Sequence, residues 1–283
     1  MKKIFIILTL FCLMLISSES SVSAHHCGHH SYITFRDYYQ EEINFHNCNK
    51  HYGLKETIVY YYSNGSRYTY TFSTIFNSDG TIIESGCKNL KHYIYNGKHY
   101  FTFYKNKKYN IIDENGKYLS LKKYKQMQEI EENKLLVKLD KKYGIIDLDE
   151  KIIVPIKYKS IEKIGENLYL TKLNGYFGML NSSNKILLKN EYDKISPIYN
   201  CYKLKRAGKF GLANSKGELL FIANCNQIKK LGEYIVIKRG KEYGVLDLDG
   251  NIIAEIKYRD IKLERNTLKL QDFDKNWINI EEI

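Results

Sequence analysis

The stretch KKYGIIDLDEKII at residues 141–153 returns at residues 241–253 as KEYGVLDLDGNII, with its aromatic-Gly pair and its Asp in register. The pair recurs as Tyr143-Gly144, Phe177-Gly178, Phe210-Gly211 and Tyr243-Gly244, with Tyr109-Asn110 as a variant upstream, and the second members lie 34, 34, 33 and 33 residues apart. Fourteen positions after each second member stand Tyr124, Tyr158, Tyr192, Cys225 and Tyr258, and seventeen after each stand Met127, Ile161, Ile195, Ile228 and Ile261. Five units share one register, and NSDGTII at residues 77–83 marks a fainter sixth that begins near Ile75-Phe76. A fixed period of this length builds an array of stacked supersecondary units, none of which can bury its apolar face alone.

Within a unit the pattern reads as strands. Residues 143–147 and 151–155 flank a short Asp-rich turn, a hairpin signal that Asn115-Gly116 and Asp249-Gly250 strengthen in sister units. Residues 158–164, the turn at Gly165 and residues 168–171 come next, so four short strands fill one period. The Gly after the aromatic permits a bulge at positive φ or lets the neighbouring ring lie on the backbone. Helical periodicity is absent, and the turns are too closely spaced for helices of ordinary length. The expected fold class is therefore all-β, a tandem array of about five to six four-stranded units of 33–34 residues. An open superhelical hairpin array and a propeller-like arrangement both satisfy that pattern, with the short period favouring the first. A transmembrane barrel needs longer alternating strands than these.

The aromatic-Gly pair, then Ile-Asp, an Asp-bearing turn, Ile-Ile and Tyr-x-x-Ile, resembles the WG repeat (KWG repeat) family of bacterial β-repeat proteins, with Tyr or Phe standing for Trp. The likeness covers residues 107–280 and extends towards Ser73. It implies a repetitive β array, secreted or appended to other domains. It implies no established activity, so no functional residue is carried over from it.

Upstream of the array the chain opens with Lys2 and Lys3, runs through an apolar stretch to Ile16, and reaches Val22-Ser23-Ala24. This pattern is expected to be a secretory signal peptide cut after Ala24. The organisation read from the sequence is a signal peptide at 1–24, a His/Cys- and Tyr-rich β segment at 25–72 and the repeat array at 73–283. The expected setting is extracytoplasmic, secreted or periplasmic, with no transmembrane segment after cleavage. The formal charge of +12 favours anionic partners, although Lys-, Ile-, Asn- and Tyr-rich composition is also what A+T-rich codon usage produces.

The densest chemical signal precedes the repeats. His25, His26, Cys27, His29 and His30, then His46, Cys48 and His51, gather six of the eight histidines within 27 residues. Imidazole and thiolate suit zinc or copper, and these residues are the candidate metal ligands. Their spacing matches no zinc motif, and a Cys27–Cys48 disulfide in an oxidising compartment explains the cysteines equally. Cys201 and Cys225, in neighbouring units, are a second candidate disulfide. Asp113, Asp147, Asp149, Asp247 and Asp249 invite a calcium reading, but turn formation accounts for them better because each turn runs straight into the next strand. Tyr60, Tyr61, Tyr62, Tyr68, Tyr70, Tyr93, Tyr95, Tyr100 and Tyr104 offer a platform for glycans or peptides, or else cross-strand pairs that hold a sheet.

Catalytic signatures are missing. No histidine follows His99, and the chain contains no nucleophile elbow, no zincin motif and no phosphate-binding glycine loop. A carboxylate pair acting on glycosides has no sequence signature by which to choose its members. The reading is thus a non-catalytic binding or scaffold protein whose β-repeat surface engages a protein or an anionic envelope polymer, with no specific nucleic-acid partner. Its alternative is an extracytoplasmic metal-binding protein that uses residues 25–51.

Overall fold

The computed structural model of the chain describes residues 31–36, 39–47, 52–63, 66–77, 79–120 and 122–282, with side chains at 53–58 and from 69 onward within those ranges. Two compact units, residues 1–123 and 124–283, divide it. In the first, β1 (Ser31–Arg36), β2 (Tyr39–Asn47), β3 (Tyr52–Ser63), β4 (Ser66–Asn77), β5 (Ile82–Tyr95), β6 (Lys98–Lys105) and β7 (Lys108–Asp113) form one antiparallel meander in chain order. The first half of β5 pairs with β4 and its second half with β6.

The second unit repeats one plan. Its four-stranded sheets are β8 (Gln126–Glu131), β9 (Lys134–Leu139), β10 (Lys142–Asp147) and β11 (Ile152–Tyr158); β12 (Ser160–Gly165), β13 (Leu168–Leu173), β14 (Tyr176–Asn181) and β15 (Ile186–Tyr192); β16 (Lys194–Ile198), β17 (Cys201–Arg206), β18 (Lys209–Ala213) and β19 (Leu219–Cys225); and β20 (Gln227–Leu231), β21 (Tyr234–Arg239), β22 (Glu242–Leu246) and β23 (Ile252–Tyr258). A three-stranded sheet, β24 (Asp260–Glu264), β25 (Thr267–Gln271) and β26 (Trp277–Asn279), ends the series. The expected all-β tandem array is therefore present, with four short strands per period.

Each sheet finds its core against the next. Leu136, Ile145, Val154 and Tyr158 of the first four-stranded sheet cluster with Ile161, Tyr169 and Leu180 of the second. Leu168, Met179, Leu188 and Tyr192 of the second meet Ile195, Leu204 and Ala213 of the third, and the pattern continues to the end of the chain. The repeat tyrosines are core residues, as Tyr124, Tyr158, Tyr192 and Tyr258 are all buried. Burying an Ile or Leu side chain contributes about 1.5–3 kcal/mol, so one sheet by itself would forfeit that stabilisation at each residue it packs against its neighbour.

The aromatic-Gly glycines occupy one environment, for a reason other than the one expected. None of Gly144, Gly178, Gly211 and Gly244 has positive φ. Instead the fourth strand bulges across the third at the glycine: Tyr143 pairs with Tyr158 and Ile145 with Val154, which leaves residues 155–157 opposite Gly144 alone. The same step recurs in the other three sheets. A Cβ on Gly178 would lie 2.7 Å from the Leu188 carbonyl oxygen, and one on Gly211 would lie 2.6 Å from that of Phe221. Only a residue without Cβ lets the two backbones approach this closely.

The turns between third and fourth strands explain the recurrent Asp and Asn. Asp247 Oδ1 accepts the backbone N–H groups of Asp249 and Asn251 at 2.9 and 2.8 Å, and Asn181, Asn214 and Asp113 do the same in their own units. Asn77 and Asp79 close the corresponding turn of the faint sixth unit on Thr81.

The expected Cys201–Cys225 disulfide is absent. Both thiols are free, buried in one cluster, and Cys87 is likewise buried and free. Burial, reinforced by Asp249 and Asp247, pushes the Cys201 thiol up to about 11, and burial pushes Cys87 up to about 12 and raises Cys225 as well. Such thiols stay protonated and unreactive at neutral pH.

Two outcomes are expected from this packing. Gly178→Val should lower the free energy of unfolding in urea by on the order of 3 kcal/mol, because the bulged backbone leaves no room for a side chain. Gly240→Asn, at φ 60 with nothing within 4 Å, should stay within about 0.5 kcal/mol of the parent; equal effects at the two sites would contradict the close-approach explanation. Iodoacetamide at neutral pH should spare Cys201 and Cys225 in the native protein and label both after denaturation without reductant. Failure to label them in the denatured, unreduced protein would restore the disulfide.

Candidate functional site

Of the candidate metal ligands, His25, His26, Cys27, His29, His30, Cys48 and His51 lie outside the described residues, and His46 is described only as a backbone position on β2 opposite Leu54. Among the described residues no group of three or more His, Cys, Asp or Glu side chains comes together as a metal site. His92 and His99, which the sequence did not mark as a pair, meet across β5 and β6. Their Nε2 and Nδ1 atoms are 2.8 Å apart, their rings stack at 5.1 Å, and Phe101 stacks on His92 at 4.8 Å. Burial, aided by His99, holds His92 below the usual imidazole range. The register that places Ile94 opposite His99 and His92 opposite Phe101 makes the two histidines diagonal neighbours.

The Asp turns are occupied by their own backbone. In Asp247 burial raises the carboxyl, yet the Asn251 side chain and the backbone N–H donors outweigh it and hold the group below the ordinary carboxylate range. Asp249 Oδ1 accepts the Asn200 amide at 2.8 Å, tying this turn to the preceding sheet. Among the described residues these carboxylates are turn and docking groups.

A different feature emerges once the meander is known. In each four-stranded sheet the turns joining strands one to two and three to four lie at one end, and the turn joining two to three lies at the other with the link to the next sheet. Like ends adjoin along the unit: Lys134 Nζ donates to the Ser182 carbonyl at 3.2 Å, Tyr202 OH donates to that of Ile164 at 3.2 Å, and Asn200 N donates to that of Leu248 at 3.2 Å. From β8 to β23 the two ends form two rims of different charge. One carries Glu131, Glu132, Asp147, Asp149, Glu150, Glu166, Glu218, Glu233, Asp247 and Asp249, which outnumber Lys134, Lys151, Lys185 and Lys216 at the same end. The other carries Lys138, Lys141, Lys142, Lys157, Lys159, Lys172, Lys205, Arg206, Lys209, Lys238, Arg239 and Lys241.

Asp140 and Glu242 stand among the basic tips, while two other acidic residues on this rim are engaged. Glu191 pairs with Arg206 at 2.8 Å, and Asp193 Oδ2 accepts the Ala207 N–H at 2.9 Å, closing the tip of the β17–β18 hairpin. Asn226 Oδ1 accepts the Gly240 N–H at 2.7 Å at the equivalent place one sheet on. An exposed ion pair of this kind adds about 0–1 kcal/mol to stability, so the rim's interest is its field rather than its contribution to folding. Like charges along one edge add their potentials and concentrate anions there.

The aromatic of each aromatic-Gly pair sits beside this rim under a lysine. Lys138 lies 5.0 Å from the Tyr143 ring centre, Lys172 lies 4.5 Å from that of Phe177, Lys203 lies 5.5 Å from that of Phe210 and Lys238 lies 4.7 Å from that of Tyr243. Cross-strand partners Tyr158, Tyr192, Cys225 and Tyr258 flank the same rings. The ring faces are covered from within the chain, so these aromatics hold the sheet and position the ammonium groups.

The family model described as "WG containing repeat" matches residues 111–143 and 143–177, two consecutive units of the period. No curated protein matches the sequence. Among solved structures the chain is similar to Hsv2p of Kluyveromyces lactis, at 8% identity over 69% of this chain and 74% of that one with a TM-score of 0.27. It is also similar to the β-propeller domain of the Trilobed protease from Pyrococcus furiosus, at 10% identity over 88% and 97% with a TM-score of 0.26. Acylaminoacyl peptidase of Pyrococcus horikoshii matches at 12% identity over 89% and 52%, with a TM-score of 0.25. With Tyr143-Gly144 and Phe177-Gly178 standing where Trp-Gly gives the repeat its name, residues 111–177 are two consecutive WG-containing repeats.

Proposed function

We propose that this chain is a non-catalytic, extracytoplasmic binding protein whose basic rim engages an anionic polymer of the cell envelope or its surroundings. The observation that carries the reading is the segregation of charge by the meander. Basic side chains outnumber acidic ones at the ends of hairpins β9–β10, β17–β18 and β21–β22, with Lys172 beside the uncharged β13–β14 tip, while acidic ones predominate at the opposite ends. Lysines such as Lys134, Lys151, Lys185 and Lys216 stand on the acidic rim too, but acidic residues outnumber them there, a bias that codon usage favouring lysine does not produce. The leader-like residues 1–24 support placement outside the cytoplasm, and the lack of an assembled catalytic constellation in the sequence supports binding over turnover. Among the described residues no helix is long and apolar enough to cross a membrane.

The test is retention of the purified protein on immobilised dextran sulfate, read as the salt concentration that elutes it. Replacing Lys205, Arg206, Lys238 and Arg239 by Glu should weaken binding by about tenfold or more and lower the eluting salt, since removing rim charges acts on association and salt dependence. Replacing Glu166, Glu218 and Glu233 by Lys on the opposite rim should leave retention equal or stronger. Undiminished retention of the first variant, with its circular dichroism unchanged, would reject the basic rim as the binding surface.

A further inference from the structure

We infer that the rim reads its ligand by charge spacing, each repeat taking an anionic group of one linear polyanion; the inference rests on the function proposed above and adds the class and geometry of the ligand. The first support is rigidity at the hairpin tips. Asn174-Gly175 and Ala207-Gly208 have positive φ at both central positions, and Asp140 and Gly240 have it at the first, which are the backbone states of tight two-residue hairpin turns. Charged residues beside such turns are held at fixed places, in contrast to those on long loops.

The second support is periodicity. The tips recur with the 33–34-residue repeat on successive sheets whose cores interlock, and sheets packed face to face stand about 10 Å apart. A linear chain lying along the rim therefore meets positive tips at β9–β10, β17–β18 and β21–β22, and at the uncharged β13–β14 tip the flanking Lys172. The third support is what the rim lacks as a recognition device. The rings of the aromatic-Gly pairs lie under Lys138, Lys172, Lys203 and Lys238 and beside their cross-strand partners, which leaves Tyr176, exposed at the β13–β14 tip, as a single ring and not a repeated platform for stacking sugar faces or bases. Selection then falls to charge and its spacing. Separate weak contacts along one chain act together, because each bound group raises the effective concentration of the next.

Heparin-derived oligosaccharides of graded length, from disaccharide to dodecasaccharide, test this by calorimetric titration of the whole protein. Affinity should rise by about a hundredfold with length and level off once the chain spans the four tips. Replacing Arg206 and Lys209 by Gln, which removes one inner tip, should cut the affinity of the dodecasaccharide at least tenfold and change that of the disaccharide less than twofold. If the dodecasaccharide binds through the rim but affinity is flat with length, or if both ligands lose affinity equally, the spacing inference fails while the proposed function stands. If neither the oligosaccharides nor dextran sulfate bind, both fail. Tighter binding to phosphatidylglycerol vesicles than to the dodecasaccharide at equal charge would replace the linear polymer with a membrane surface and overturn the inference.

Discussion

The crossing of one backbone over another at a glycine is the contact on which the array depends. At Gly144, Gly178, Gly211 and Gly244 the fourth strand bulges over the third, and Ile156, Asn190, Ala223 or Ile256 supplies the residue that sits above the glycine. Two upstream units show what happens without it. Buried Thr74 stands at the corresponding place in β4, and only Ser85 and Gly86 oppose it, one residue fewer than in the glycine units. Where Asn110 stands, the fourth strand shrinks to an isolated bridge between Ile112 and Tyr118, and the Asn110 amide donates instead to the carbonyls of Lys105 and Lys108. Side-chain size at one position thus tracks the depth of the bulge.

The bulge matters because it lets the end of the fourth strand rejoin its partner at the repeat Tyr, and three residues on, the repeat Ile opens the next sheet. These two residues join adjacent cores, which is why the period is strict even though most other positions vary. The unit with Cys225 in the Tyr place keeps its core filled by other means: Phe221 stands where sister sheets hold Val154, Leu188 or Ala254, and Tyr199 packs against the same cluster. Exchanges that conserve volume are the kind a close-packed interior tolerates.

Much of this is legible in the sequence, because the repeat aligns residues that do the same physical task. Register, strand count and the turn role of Asp113, Asp147 and Asp247 all come from local chemistry. The reason for the glycines is not legible, since close approach and positive φ both call for glycine and only the pairing of Tyr143 with Tyr158 separates them. Nor does the sequence reveal that Cys201 and Cys225 stay free, because proximity in a shared core is insufficient for a bond with specific geometry. The charge of the rims is hidden for a topological reason. Lys141 and Asp147 are only six residues apart in the chain, and the course of the strand between them puts them at opposite ends of a sheet.

The charged rims, the covered aromatic rings and the tight hairpin tips arise from one register, so ligand contact should carry the period of the repeat. Hydrogen–deuterium exchange of the protein with and without dextran sulfate measures this directly. Protection by the polymer is expected at residues 139–142, 173–176, 206–209 and 239–242, with exchange unchanged at the Asp- and Asn-bearing turns at the other end. Protection confined to those Asp- and Asn-bearing turns, or spread without period over the sheets, would contradict it.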